Sequence, residues 1–133
     1  MQTEPTDRSD LKLGLHTYTL HLWGFGQNWG THQDPRPKQF SLKELMARAE
    51  EWGVDGLHLT GADLESKDDE RLEEVRRAAE EHGLYLEYNF SRDEEFDERA
   101  HDSLEDAIHI ADTPGADVAK MSLYTRRPRP LYG

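Results

Sequence analysis

An α/β fold of parallel strands is predicted by three features of the sequence. Hydrophobic spacing switches repeatedly between the two-residue period of a strand and the 3.6-residue period of a helix. Gly53, Gly83 and Gly115 each fall between a helical pattern and the next strand pattern, about thirty residues apart, which is an internal repeat of one strand-helix unit. Successive strands joined through helices must run parallel, and right-handed crossovers put the helices on a common side of a sheet that grows in one direction.

Each element has a local reason. After a polar tail over residues 1–10, LKLGLHTYTL (Leu11 to Leu20) alternates apolar and polar residues and is rich in Thr and Tyr, which predicts the first strand. HLWGFGQNWGTHQDPRPKQF follows with three Gly, two Pro and two Trp and no period, a loop of about twenty residues, a length that marks function. SLKELMARAEEWG opens with a capping box, Ser41 and Glu44, and carries Leu42, Leu45, Met46, Ala49 and Trp52 as an inward stripe that Gly53 terminates. VDGLHLTG is the second strand. DDERLEEVRRAAEEHG is a helix with acids in its first turn and Leu72, Val75 and Ala79 inward. LYLEYNF is the third strand. DSLEDAIHIAD is the third helix, with Leu104, Ala107, Ile108 and Ala111 on one face, and TPGA ends it before the fourth strand, DVAKMSL.

Composition bounds the function. With 16 Lys and Arg against 28 Asp and Glu, the formal charge of -12 repels nucleic acid and anionic membranes. The acidic excess, with Arg ahead of Lys, suits a halophilic cytoplasm and an ordinary acidic protein alike. There is no cysteine, and neither a membrane-spanning run nor a signal-peptide core is present, so a soluble cytoplasmic protein is expected.

Two architectures use repeated strand-helix units. A doubly wound sheet usually has a glycine-rich phosphate turn after its first strand, but GFGQNWG lacks the G-x-G-x-x-G spacing. The strands instead carry His16, Tyr18, His58, Thr60, Glu87, Asn89, Lys120 and Ser122 near their C-terminal ends, which form the active face of a (β/α)8 barrel. Such a barrel needs eight units and roughly 250 residues. Four parallel strands and three helices amount to its N-terminal half, occupying residues 11–133.

LGLHTYTLHLWG, the EWGVDGLHL junction, GLYLEYN and GADVAKMSL, in that order and with the long aromatic first loop, resemble the N-terminal half of the xylose isomerase-like TIM barrels, the superfamily of sugar phosphate isomerases and epimerases. The resemblance implies proton transfer beside a sugar carbonyl, assisted by a divalent cation (Mn, Mg, Co or Zn) held by Glu, Asp and His of later strands. RRPRPLYG reads as the loop leaving strand four, ahead of those ligands. No catalytic carboxylate is therefore carried over, no metal is expected in this chain alone, and turnover by it is not expected.

The resemblance makes Tyr18, Trp23 and His58 the substrate-facing floor and wall for a sugar or sugar phosphate. His16, Glu87 and Asn89 join them from their strand-end placement. Each has a plainer reading. His16 and His58 suit strand histidines satisfied by carbonyls, Glu87 and Lys120 suit a buried pair or the helix layer, and Trp23 and Trp29 suit loop packing. His82, His101 and His109 read as solvated, and the acidic runs DLESKDDERLEE and SRDEEFDERAHD as solvated helix starts without calcium-loop spacing. The alternative to a truncated isomerase is a non-catalytic binding subunit, or a half-barrel that forms a homodimer or pairs with a complementing C-terminal half along its open strand edges.

Overall fold

The computed structural model describes residues 11–26, 36–92 and 97–122. The polar tail, Trp29 and RRPRPLYG lie outside these residues. Within them, β1 (Gly14–His16), β2 (Gly56–Thr60), β3 (Tyr85–Ser91) and β4 (Val118–Ser122) form one parallel sheet in the order β1-β2-β3-β4. Three long helices separate the strands: α1 (Leu42–Trp52), α3 (Asp69–Glu81) and α4 (Leu104–Asp112). A one-turn helix, α2 (Gly61–Leu64), and two 3-10 segments (Thr17–Trp23 and Glu98–Ala100) add to the three helices expected.

The long helices begin where the side chains dictate. Ser41 and Glu44 form the expected reciprocal capping box, Asp68 caps α3 through the amide of Arg71, and Ser103 caps α4 through that of Asp106. Leu42, Leu45, Met46 and Ala49 of α1 join Leu72, Val75 and Ala79 of α3 and Ala107, Ile110 and Ala111 of α4 over Leu57, Leu59, Leu86, Tyr88 and Phe90 of the sheet. All of these are buried. Because side chains alternate along a strand, that apolar face leaves His16, His58, Thr60, Glu87, Asn89, Lys120 and Ser122 on the opposite one, away from the long helices.

Four expectations need correction. The first strand is only Gly14–His16, because the backbone turns into a 3-10 segment at Thr17, with the His16 side chain accepting from the Tyr18 amide as its N-cap. The Thr and Tyr alternation there thus serves a turn. Trp52, expected in the core, is 46% exposed. At 3.6 residues per turn it lies about 70° from the centre of the Leu42, Leu45, Met46 and Ala49 stripe, on the last residue of the helix. On α4 the inward stripe is Ala107, Ile110 and Ala111, which leaves Leu104 and Ile108 about half exposed. Finally, His82 and His101 are half-buried: His82 bonds Glu50 across α3 and α1, and the buried Nδ1 of His101 has no hydrogen-bond partner among the described residues.

Candidate functional site

The free face of the sheet is built in layers. Gly14, Gly56 and Tyr85 make the lowest, at the N-terminal ends of the strands; His16, His58, Glu87 and Val118 lie in adjacent register above them, then Thr60, Asn89 and Lys120. The Tyr85 ring crosses from β3 over the Cα of Gly56, and its hydroxyl reaches Gly14. A Cβ on Gly56 would overlap the ring, and one on Gly14 would overlap the hydroxyl and the edge of His58. The two glycines therefore exist in this pattern because an aromatic ring needs the space that their side chains would fill.

Tyr85 Oη is 3.1 Å from His58 Nε2, and Glu87 Oε1 is 3.7 Å from His58 Nδ1. A carboxylate only accepts, so its position favours the tautomer protonated at Nδ1, leaving Nε2 to accept the Tyr85 hydroxyl. Burial, then the charges of Glu87, Asp55 and Asp117, push the Tyr85 hydroxyl above its ordinary pKa, which keeps it a donor. His16 stands edge-on to His58, with ring centroids 6.2 Å apart. Its Nδ1 accepts the Tyr18 amide at 3.1 Å, an unambiguous donor, so its proton sits on Nε2. Burial, followed by His58 and Lys120, lowers the pKa of His16 and keeps the ring neutral at pH 7.

The structure thus brings together His16, His58 and Glu87, all half-buried. Asn89 is on the same face but only 4% exposed, its amide 3.4 Å from the Leu59 carbonyl. Tyr18 and Trp23 are on the 3-10 segment. Tyr18 stacks on His21 at 4.8 Å, and Trp23 packs edge-on against Phe40 while remaining 44% exposed. Glu87 and Lys120 are not register partners, since Glu87 pairs with Val118 and Lys120 with Asn89. Glu87 faces His58 instead.

At the C-terminal ends of the strands two buried carboxylates, both missed in the sequence, fix the loops. Asp63, fully buried, accepts from the amide of Gly26 (2.6 Å), the hydroxyl of Thr17 (2.7 Å), and the amide (2.8 Å) and hydroxyl (3.2 Å) of Thr60. Lys38 donates to its backbone carbonyl at 2.8 Å, and burial lowers the pKa of that amine. Asp102 accepts from Lys67 and from Tyr88, each at 2.5 Å, and burial with the Asp102 bond drives the Tyr88 hydroxyl far above its ordinary pKa. Asp97 is likewise buried and paired, with Arg99, so SRDEEFDERAHD is not a uniformly solvated run. Thr60-Gly61-Ala62-Asp63 has the S/T-x-x-D spacing of a capping box, the one signal that could have flagged Asp63.

Among the described residues no three His, Asp or Glu side chains converge to hold a metal ion. The oxygens of Asp63 and Asp102 are taken by donors, so these carboxylates do not fit the divalent cation that the resemblance implies. A groove between α1 and α3, floored by Leu42, Met46 and Val75, is on the helix side and has none of the polar-face chemistry. Among the described residues no helix is long and apolar enough to cross a membrane. No protein-family model matches this sequence, and no curated protein is significantly similar to it. Fold and site together define an α/β protein with a four-stranded parallel sheet, apolar under its helices and polar on its free face.

Proposed function

We propose that this chain is the substrate-facing N-terminal half of a (β/α)8 barrel of the xylose isomerase-like type, and that it serves a sugar or sugar phosphate isomerase or epimerase. One observation carries the reading: His16, His58 and Glu87 stand in adjacent register on the free face of a parallel sheet whose other face forms the apolar core. A barrel encloses such a face. Glu87 accepts sugar hydroxyls there, His16 donates to a sugar oxygen, and Tyr85 holds His58 in place. Isomerisation beside a carbonyl further needs a base at the C–H bond and stabilisation of the enediolate oxygen. The full barrel supplies them, with its divalent cation, from other residues, because among the described residues no three His, Asp or Glu side chains converge.

A second reading, assembly as a homodimer or with a complementing half, is favoured by the apolar side chains left uncovered at one side of the sheet. Val118 and Met121 on β4 are 48% and 38% exposed, and Leu104 and Ile108 on α4 are 50% and 56% exposed. Among the described residues β1 and β4 each pair with one strand only.

The test fixes the solution mass of the purified chain by light scattering, then titrates it with neutral aldoses and ketoses while its NMR spectrum is recorded. Shifts centred on His16, His58 and Glu87 are expected, strongest in a dimer fraction. Shifts confined to the helix layer, or none in any fraction, would sink the sugar reading.

A further inference from the structure

We infer that Lys38 and Arg71, beside the turn that follows β2 and α2, form a receptor for a small monocarboxylic acid, and that Glu65 is its exchangeable internal occupant. The inference does not rest on the sugar reading above.

The backbone supplies the first observation. Glu65, the residue that closes α2, has φ 70° and ψ −35°, and among the described residues it alone, glycines aside, has a positive φ. Glycine adopts such a conformation freely, whereas any side chain is strained in it. The turn itself therefore asks for glycine, and the sequence keeps a glutamate.

What the glutamate supplies is a carboxylate between two cations. Arg71 Nη2 is 3.0 Å from its Oε1 and Lys38 Nζ is 3.8 Å from its Oε2, one cation for each oxygen. Neither cation depends on Glu65 for its position. Arg71 Nε donates to the Leu64 carbonyl and Lys38 Nζ to the Asp63 carbonyl, both at 2.8 Å, and the two side chains are only 23% and 17% exposed. The receptor thus stands without its occupant. Glu65, by contrast, is 58% exposed, and its contact with Lys38 is too long for a hydrogen bond, so solvent screens the pair and another carboxylate can take its place. Burial lowers the pKa of Lys38 and the charge of Glu65 is the first influence to oppose it, so the ammonium favours having a carboxylate at hand.

Ligand chemistry follows from the groups present. Guanidinium and ammonium only donate, and one donor to each oxygen suits a carboxylate. Asp68, Asp69 and Glu70 crowd the start of α3 beside Arg71, so a second negative charge is repelled. Two half-buried cations are reached by a small acid more readily than by the broad face of a folded partner. A monocarboxylate meets all three conditions, and a dicarboxylate or phosphate dianion does not.

The Arg71 Nε–H signal is followed by 1H–15N NMR at pH 7 and constant ionic strength while the full chain is titrated with propionate, succinate, inorganic phosphate and propionamide. Native chain, Glu65→Gly and Glu65→Gln are compared, and their amide spectra establish that each variant keeps its fold; glycine suits the backbone and glutamine keeps the side chain's shape. Propionate is expected to move the Arg71 signal, to bind Glu65→Gly on the order of tenfold tighter than the native chain, and to bind Glu65→Gln with a smaller gain. Propionamide should leave the signal in place. Equal affinity for the native chain and both variants overturns the role of Glu65 as occupant. Succinate or phosphate binding tighter than propionate overturns the monocarboxylate assignment, and an Arg71 signal unmoved by every acid overturns the receptor. The sugar reading is judged separately, by shifts at His16, His58 and Glu87.

Discussion

Replacing Asp63 by Asn changes two atoms' chemistry and almost no volume, which isolates the value of a buried carboxylate. Oδ1 accepts the Gly26 amide at 2.6 Å, while Oδ2 serves the Thr17 hydroxyl and both donors of Thr60. An amide has a single oxygen. It will be placed on the Thr60 side, where the donors are more numerous, and its NH2 group then opposes the Gly26 N–H, donor against donor. Stranding one buried N–H costs about 1–3 kcal/mol, and losing charge assistance in the remaining bonds adds about 1–2 kcal/mol. Asp63→Asn should therefore destabilise by about 2–5 kcal/mol, a large share of the roughly 5–15 kcal/mol that a domain has. Urea unfolding should show a midpoint lower by about 1 M or more at unchanged slope, and the Gly26 amide should exchange faster with solvent. Removing the charge also removes its desolvation penalty, which acts in the opposite direction. A loss under about 1 kcal/mol, or a gain, would mean that the penalty outweighs the four bonds, refuting the view of Asp63 as the stabilising joint of these loops.

Gly56→Ala puts a methyl group into the Tyr85 ring and should cost about 1–3 kcal/mol, with the His58 to Tyr85 hydrogen bond broken. In the double variant Gly56→Ala, Tyr85→Ala the clash is gone, so the combined loss in urea unfolding should fall short of the sum of the singles; additivity would contradict the packing described. The two perturbed imidazoles should give opposite pH slopes. His16 has its pKa lowered, so the unfolded chain takes up a proton first and stability falls as pH drops below about 6.5. His109, raised mainly by its 2.6 Å bond to Asp69, contributes fully below that pH and loses its contribution as pH rises through its own higher value. His109→Gln should flatten the decline of the urea midpoint above about pH 6.5, and an unaltered profile would remove the Asp69 contact as its cause.

Much of the fold was legible because its signals are local. Ser41 with Glu44, the first-turn acids of α3 and the glycines at 53, 83 and 115 punctuate the chain whatever its tertiary surroundings, and all mark real boundaries. What escaped depends on distant partners. Thr17 continues a strand-like alternation, yet its hydroxyl bonds Asp63, 46 residues away, and the backbone turns there. The face that α4 turns to β3 and β4, burying Ile110 and leaving Ile108 exposed, depends on the sheet it covers. At the site, His16, His58 and Glu87 could be placed on one face by counting in twos. Tyr85 could not be linked to Gly56 and Gly14 without the register of three strands, nor could a buried Asp63 be told from the solvated acids around it.

The Tyr85 ring has a consequence for traffic. Lying over Gly56 with its hydroxyl against Gly14, it covers the polar face at the N-terminal ends of the first three strands. In the proposed barrel the polar face would then be a cup, not a tunnel. Were the sheet closed in that way, a ligand would come past the strand ends where Asp63 and Asp102 tie down the loops, and would leave by the same mouth. There, shrinking Tyr85 would open a second route for water to the His58 ring.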